Sequence, residues 1–136
     1  MTITAATHAI SVDPSNGEIL TAMPWASADE IAHALDLAAR GFNEWKLTTV
    51  AYRAQMLRNV GQALRLRAEE MAQCISREMG KPLKQARAEV AKSAALCDWY
   101  AEHGPAMLNP EPTLVENQQA VIEYRPLGKT YSPLTR

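Results

Sequence analysis

Two thiols are the strongest nucleophiles that this sequence offers. Cys74 and Cys97 are the only cysteines among its 136 residues. A catalytic thiolate needs a neighbouring base or a helix N-terminus that lowers its pKa. Cys74 falls in the middle of a predicted helix, and Cys97 falls late on the apolar stripe of another. Because free cysteines are among the most buried residue types, we expect both to serve in core packing.

Three histidines, His8, His33 and His103, are the candidate bases and metal ligands. No two of them share a helical face. His33 has Asp29 four residues before it and Asp36 three residues after it, but a closed metal site needs more ligands than these. We therefore expect His33 on a solvated helix face and predict no metal site.

The segment Glu78–Leu83 contains Gly80-Lys81, a pair that also occurs in phosphate-binding loops. Such a loop needs an earlier glycine, a Ser or Thr after the lysine, and a strand before it. Here Pro82 follows the lysine and a predicted helix precedes it. The pattern is that of one helix ending at a glycine and the next beginning with a proline.

A charged set follows on the next predicted helix. Its members are Lys84, Arg87, Glu89 and Lys92. One interpretation is a solvated face on which Glu89 and Lys92 pair, an interaction worth a few tenths of a kcal/mol. The other is the anion-facing side of a channel. The sequence favours the solvated face.

The composition excludes several classes of protein. The chain has 14 Lys and Arg against 15 Asp and Glu, a net charge of −1, so we do not expect nucleic acid as a main partner. The apolar fraction of 47% and the charged fraction of 21% are typical of globular proteins. No apolar run approaches the roughly 18 residues that cross a membrane. Residues 1–10 lack the features of a secretory signal. With only two cysteines, these features predict a cytoplasmic protein.

The first element that the pattern predicts is a β-hairpin. Ile10 and Val12 alternate with polar neighbours, residues 13–17 collect turn formers, and Ile19–Met23 is the return strand. Residues 1–9 have no periodicity, and we expect them to form a loose arm.

A helix is predicted next, with Ser27 and Glu30 as a capping box at its start and its end near Lys46. Apolar residues recur along it at steps of three and four, which places them on one stripe. They are Ile31, Leu35, Ala38, Phe42 and Trp45.

Three further helical stretches are expected. The first starts near residue 48 or 49, the second spans about 68–79, and the third spans about 82–103. The first two are either separate helices or one bent helix. The predicted inward residues are, in chain order, Met56, Leu57, Val60 and Leu64, then Met71, Ala72, Ile75 and Met79, then Leu83, Ala86, Val90, Ala94, Cys97 and Ala101.

A second hairpin is predicted from Leu114–Asn117 and Val121–Arg125, joined by residues 117–120, because the latter run alternates with a period of two. No glycine-rich dinucleotide motif, Ser-His-Asp set, paired carboxylate motif or Cys/His cluster stands out. The residues alone therefore predict a mostly helical chain with two small hairpins and assign it no activity.

Six short motifs, in this order, resemble the N-terminal portion of the aldehyde dehydrogenase superfamily over roughly residues 9–128. They are Asp13-Pro14-Ser15-Asn16-Gly17-Glu18, Ala38-Ala39-Arg40-Gly41-Phe42-Asn43-Glu44-Trp45, Arg53 with Leu57, Glu78-Met79-Gly80-Lys81-Pro82-Leu83 with Glu89-Val90, Trp99-Tyr100-Ala101, and Arg125-Pro126-Leu127-Gly128. The resemblance is greatest to bacterial NAD(P)-dependent succinate-semialdehyde dehydrogenases.

The resemblance implies an α/β fold of which this chain forms only a mostly helical N-terminal part. It assigns residues 1–25 to an arm and hairpin, 26–107 to the helical part of the cofactor domain, and 108–128 to the first hairpin of the oligomerisation domain. The intact relative would be a homo-oligomer that oxidises an aldehyde, chiefly succinate semialdehyde, with NAD or NADP as the hydride acceptor. In the family, Lys92 would border the substrate channel.

The resemblance carries over no catalytic and no cofactor-binding residue, because the family's nucleophile, base and cofactor loops have no matching position here. We therefore expect this chain alone to be inactive, to bind no cofactor and to aggregate. Residues 129–136 match nothing in the family, which predicts a frameshift or premature stop after Gly128. The alternative hypothesis is a small helical module that binds a protein partner through its exposed stripes.

Overall fold

The computed structural model describes residues 6–115 and 118–128. Two short antiparallel hairpins flank four helices. The elements are β1 (His8–Val12), β2 (Ile19–Pro24), α1 (Ala28–Trp45), α2 (Val50–Leu66), α3 (Ala68–Met79), α4 (Leu83–Met107), β3 (Glu111–Val115) and β4 (Gln118–Ile122). None of the helices in the described part is long and apolar enough to cross a membrane.

The first hairpin confirms the predicted strands and turn. β1 and β2 pair antiparallel, and the turn is closed by the Gly17 N–H, which donates to the Asp13 carbonyl at 2.8 Å. Gly17 has a φ of 79°, a conformation that favours glycine. The predicted loose arm was too long, because His8 and Ala9 already pair with β2; residues 1–5 of that arm lie outside the described residues.

The α1 helix begins with the predicted capping box. The Glu30 N–H donates to Ser27 Oγ at 3.2 Å, and the Ser27 N–H donates back to Glu30 Oε2 at 2.8 Å. The Ser27 hydroxyl also donates to Glu30 Oε2, at 2.9 Å, and the hydrogen bonds from the Ser27 N–H and hydroxyl lower the pKa of the Glu30 carboxyl. The predicted apolar stripe, however, is not buried: no residue of α1 is buried, and Ile31 is 51% exposed.

The α2 and α3 helices are separate, which settles the alternative that the sequence left open. Arg67 breaks the helical backbone between them with φ −106° and ψ 19°. The α3 helix ends at Gly80, whose φ of 65° is left-handed, as the Gly-Lys segment predicted. A Cβ on Gly80 would lie only 2.9 Å from Pro14 Cγ, so a glycine here also lets the first hairpin approach the end of α3.

The core of the chain lies where α4 packs against α2 and α3. Its buried residues are Ala54, Gly61, Ala72, Ala86, Val90, Ala94 and Ala101. The inward positions predicted for α4 are confirmed, whereas two predicted inward residues are not. Val60 is 49% exposed and Met79 is 66% exposed, because small residues rather than large ones mark the contact lines between these helices.

The α4 helix continues past its predicted end near residue 103 to Met107, with Pro105 inside it. A proline lacks the N–H that would bond the carbonyl four residues earlier. That carbonyl belongs to Ala101, and it accepts a hydrogen bond from Arg58 Nη2 of α2 at 3.3 Å instead. The replacement donor accounts for the tolerated proline.

Three ion pairs join the helices and their connections. Arg87 of α4 binds Glu69 of α3 through two hydrogen bonds of 2.8 and 2.9 Å. Arg65 of α2 pairs with Asp98 of α4, and Lys81 pairs with Glu89. The predicted pairing of Glu89 with Lys92 was wrong, because Lys81 in the α3–α4 connection takes the carboxylate.

We expect the Glu69–Arg87 pair to make the stability of the chain depend on pH. Hydrogen bonds from Arg87 and then Gln73 lower the pKa of Glu69 from 4.5 to about 2. A carboxyl whose pKa is depressed by folding stabilises the protein above its unfolded pKa. We expect Glu69→Gln to lower the urea midpoint at pH 7, and the difference from the parent chain to shrink as the pH falls from about 4.5 towards 2.

The control for this pH prediction is Glu102→Gln. Glu102 is exposed on α4 and has no ion-pair partner within the described ranges. A difference between Glu69→Gln and the parent that stays constant from pH 7 to pH 2.5 would contradict the linkage.

The second hairpin is present, but its strands begin earlier than predicted. Pro112 pairs with Val121, and Val115 pairs with Gln118. The predicted first strand began at Leu114, whereas β3 already includes Pro112. In a two-stranded hairpin each strand is an edge, and an edge strand tolerates a proline. The predicted connection at 117–120 was therefore wrong, since β4 begins at Gln118.

Candidate functional site

Lys92, the predicted channel residue, lies exposed near the middle of α4. Lys84 lies about two turns before it on the same helix and is also exposed. Neither lysine has an ion-pair partner in the described part of the chain, whereas Arg87 and Glu89 are both paired. Of the charged set, Arg87 and Glu89 thus form ion pairs with residues outside α4. Lys84 and Lys92 are exposed cations without an ion-pair partner among the described residues.

Cys74 does not serve in core packing, contrary to prediction. It is exposed and lies two residues beyond the buried Ala72, which turns it away from the contact with α4. It borders a cavity of about 310 Å³ between β2 and α3. The other lining residues are Leu20, Thr21, Glu70, Gln73, Arg77 and Glu78. No histidine is among the described residues that border that cavity.

Cys97 matches the packing prediction in part, since it is half-buried on α4. Its Cβ lies 3.3 Å from the position that a Cβ on Gly61 would occupy. The thiol is therefore at the contact between α2 and α4, where it fills space beside a glycine.

The three histidines lie on three different elements, in different environments. His8 lies in β1 and shares a 2.8 Å hydrogen bond with Thr7 Oγ1, and His33 is exposed on α1. The His103 ring stacks on Trp99 with centroids 4.6 Å apart. Among the described residues, no three His, Cys, Asp or Glu side chains are grouped to hold a metal ion.

The described elements also do not build a dinucleotide site. Both sheets are two-stranded antiparallel hairpins, whereas a dinucleotide site needs a parallel strand that leads through a glycine-rich turn into a helix. The segment between β2 and α1 is Trp25-Ala26-Ser27 and contains no glycine. We therefore assign these residues no cofactor contact.

The dominant surface feature is apolar. Large hydrophobic side chains are exposed on α1, on α4 and on both hairpins; examples are Trp45 at 47% and Val121 at 60%. Contiguous exposed apolar surface marks a place where another part of a protein docks. The exposed apolar side chains of α1, α4 and both hairpins are therefore available for such docking.

Comparison with known proteins identifies the family of this chain. A family model described as "Aldehyde dehydrogenase family" matches residues 3–132. The chain belongs to the aldehyde dehydrogenase family. It is 72% identical over 128 residues to the Escherichia coli protein named succinate semialdehyde dehydrogenase [NAD(P)+] Sad. It is 33% identical over 118 residues to a Deinococcus radiodurans succinate-semialdehyde dehydrogenase [NADP(+)].

A solved structure shares the fold of this aldehyde dehydrogenase chain. The succinate-semialdehyde dehydrogenase of Burkholderia pseudomallei superposes with a TM-score of 0.73 at 27% identity, over 85% of this chain and 24% of that one. The match to the Escherichia coli protein covers 94% of this chain but 28% of that protein, and the Deinococcus radiodurans match covers 87% and 25%. The chain thus spans about a quarter of the length of these relatives.

Family membership confirms the resemblance and the fold class that it implied. The absence of catalytic and cofactor residues and the channel role of Lys92 stay predictions, as do the domain boundaries. Residues 129–136 lie outside the described residues. The family model reaches residue 132, so only residues 133–136 fall beyond the match, and the frameshift or stop after Gly128 stays a prediction.

Sequence reasoning missed the small residues that set the α2–α4 contact. Ala54 and Gly61 are both buried and lie seven residues apart, which places them on one face of α2. A search for small residues at this spacing would have found them. The pair between Arg65 and Asp98, 33 residues apart in sequence, carries no comparable local signal.

Proposed function

We propose that this chain is the N-terminal helical part of an aldehyde dehydrogenase that oxidises succinate semialdehyde to succinate with NAD or NADP. The observation that carries the proposal is the 72% identity to the Escherichia coli enzyme over 128 residues. In this proposal the chain provides scaffold. Its apolar surfaces pack against the rest of the dehydrogenase, and the nucleophile, the base and the cofactor contacts come from elsewhere.

The proposed division of the chain follows its elements. Residues 1–25 are an arm and hairpin, 26–107 the helical part of the cofactor domain, and 108–128 the first hairpin of the oligomerisation domain. The whole dehydrogenase is proposed to be a cytoplasmic homo-oligomer that takes neither nucleic acid nor membrane as a partner. The isolated chain is proposed to be inactive and to bind no cofactor.

A chimeric enzyme tests the proposal. Residues 9–128 of this chain replace the aligned stretch of the Escherichia coli enzyme. We expect the chimera to reduce NAD+ or NADP+ when succinate semialdehyde is added, and the 136-residue chain alone to give no absorbance of the reduced cofactor above a protein-free blank.

Two results would contradict the proposal. A chimera that folds but is inactive would show that the chain does not serve this enzyme. Turnover by the isolated chain that is lost in Cys74→Ala or Cys97→Ala would show that a thiol of this chain acts as a nucleophile.

Lys92 is proposed to attract the carboxylate of the substrate at the channel entrance. Because its charge is exposed and uncompensated, we expect Lys92→Met in the chimera to raise KM for succinate semialdehyde by about twofold to fivefold, the range of exposed charge pairs. KM for an uncharged aldehyde of similar length should stay the same. The matched control is Lys84→Met, since Lys84 is an exposed lysine of the same helix. Equal changes of KM for both aldehydes would reject the role of Lys92.

A further inference from the structure

A cavity of about 250 Å³ lies between the end of α1, the start of α2, the C-terminal end of α4 and the segment that follows β4. We call it the cationic–aromatic cavity. The side chains that give it its character are Phe42, Trp45, Lys46, Arg53, Tyr124 and Arg125. Three of the family motifs meet at this cavity although they are far apart in sequence. They are represented by Phe42–Trp45, Arg53 and Arg125–Pro126.

The aromatic walls of the cavity are held in place by neighbouring helices. The Trp45 ring meets the Tyr52 ring of α2 edge to face, with centroids 6.1 Å apart. Lys46 Nζ lies 5.3 Å from the centroid of the Phe42 ring, within the range of a cation–π contact. The walls therefore offer flat apolar surface with a cation at the edge.

The charges of the cavity are only partly compensated. Arg53 Nη1 donates to the Thr48 carbonyl at 2.7 Å, and Lys46 Nζ donates to Asn43 Oδ1 at 2.8 Å. Both acceptors are neutral, so both positive charges persist. Arg125 is bound by Glu123 through contacts of 2.8 and 2.6 Å. No carboxylate is among the residues that line the cavity, which makes it favourable for an anion.

We propose that the cationic–aromatic cavity receives an acidic side chain, Asp or Glu beside an apolar residue, from the rest of the dehydrogenase. This inference rests on the proposed function. The cavity is bordered by Arg125 and Pro126, and the Escherichia coli relative has about three quarters of its length outside the match. Trp45 and Tyr124 are 47% and 52% exposed. A small-molecule site buries most of its ligand, so walls this open favour a covering protein segment.

Charge reversal in two contexts tests the proposal. Lys46→Glu is introduced both into the isolated chain and into the chimera with the Escherichia coli enzyme. We expect it to lower the midpoint of thermal unfolding of the chimera by about 3 °C or more, with no comparable shift in the isolated chain. Arg125→Gln should act in the same direction. The matched control is Lys84→Glu, an exposed charge reversal outside the cavity, which should shift neither protein.

The outcomes separate this inference from the proposed function. A parent chimera that does not fold or oxidise aldehyde defeats the proposed function, and this inference with it. An active chimera whose thermal midpoint is unchanged by Lys46→Glu and Arg125→Gln defeats only this inference. An equal shift of the thermal midpoint in the isolated chain and in the chimera defeats it too. Benzoate and neutral benzamide distinguish a small-ligand site. If benzoate but not benzamide raises the midpoint of thermal unfolding of the isolated chain, and neither changes that of the chimera, the cavity binds a small anion and the inference of an acidic side chain is overturned.

Discussion

A hydrophobic dye such as anilinonaphthalene sulfonate is expected to bind strongly to the isolated chain, and its helical circular dichroism signal is expected to be lost over a broad temperature range. The buried core consists of alanines, one glycine and Val90, and no large side chain of the described residues is fully buried. The α1 helix buries none of its residues. A helix derives most of its stability from burying its apolar face, so this arrangement gives little cooperativity.

The hairpins add to the same expectation. Each is a separate two-stranded sheet, which is marginal in water, and its open edges can pair with other chains. The net charge of −1 provides little repulsion against association. We therefore expect concentration-dependent aggregation in light scattering.

The control for dye binding is the chimera, in which the apolar surfaces should be covered and the fluorescence per chain should fall. A sharp two-state melt from a monodisperse monomer would contradict the prediction. It would also favour the alternative of an independent interaction module, since such a module must fold by itself.

The Gly61→Leu substitution is expected to separate α2 from α4 and to cost about 1–3 kcal/mol, the usual range for overpacking. A Cβ at Gly61 would lie 3.1 Å from Asp98 Oδ1, 3.2 Å from the Ala94 carbonyl oxygen and 3.3 Å from Cys97 Cβ. Two of these three neighbours belong to the backbone or the base of a side chain on α4, so they move only with the helix. Helical circular dichroism at neutral pH should fall accordingly.

Gly41→Leu is the matched control, because it is the same change inside another helix. A Cβ at Gly41 would meet nothing within 4 Å, and removing a glycine from a helix interior adds up to about 1 kcal/mol of helix stability. The two substitutions should therefore have opposite signs. A Gly61→Leu chain with the helicity of the Gly41→Leu chain would show that the α2–α4 contact does not hold the helices together.

The elements that sequence reasoning located correctly are those with local signals. The capping box of Ser27 and Glu30 involves residues three apart, and Gly80 ends α3 through its own backbone conformation. Such signals need no distant partner, so a pattern can reveal them. The order of the family motifs added the fold class, which no single element could supply.

Two of the errors have a different cause, which is a partner that lies outside the helix concerned. The α4 helix runs through Pro105 because Arg58, 43 residues before Ala101, bonds the carbonyl that the proline leaves free. Glu89 binds Lys81 instead of Lys92 because the α3–α4 connection brings that lysine close. Neither partner could be read from the spacing along α4.

The sequence by itself determined where the helices begin and that two hairpins flank them, because capping, turn chemistry and periodicity act over a few residues. The family resemblance came separately, from the order of the six motifs. Only the tertiary structure decided which faces are covered. The apolar stripe of α1 is as regular as that of α4, yet α4 packs against α2 and α3, whereas no residue of α1 is buried. Cys74 is exposed because it lies on the side of α3 that faces away from α4. Burial depends on which elements meet, and that is a property of the assembled chain.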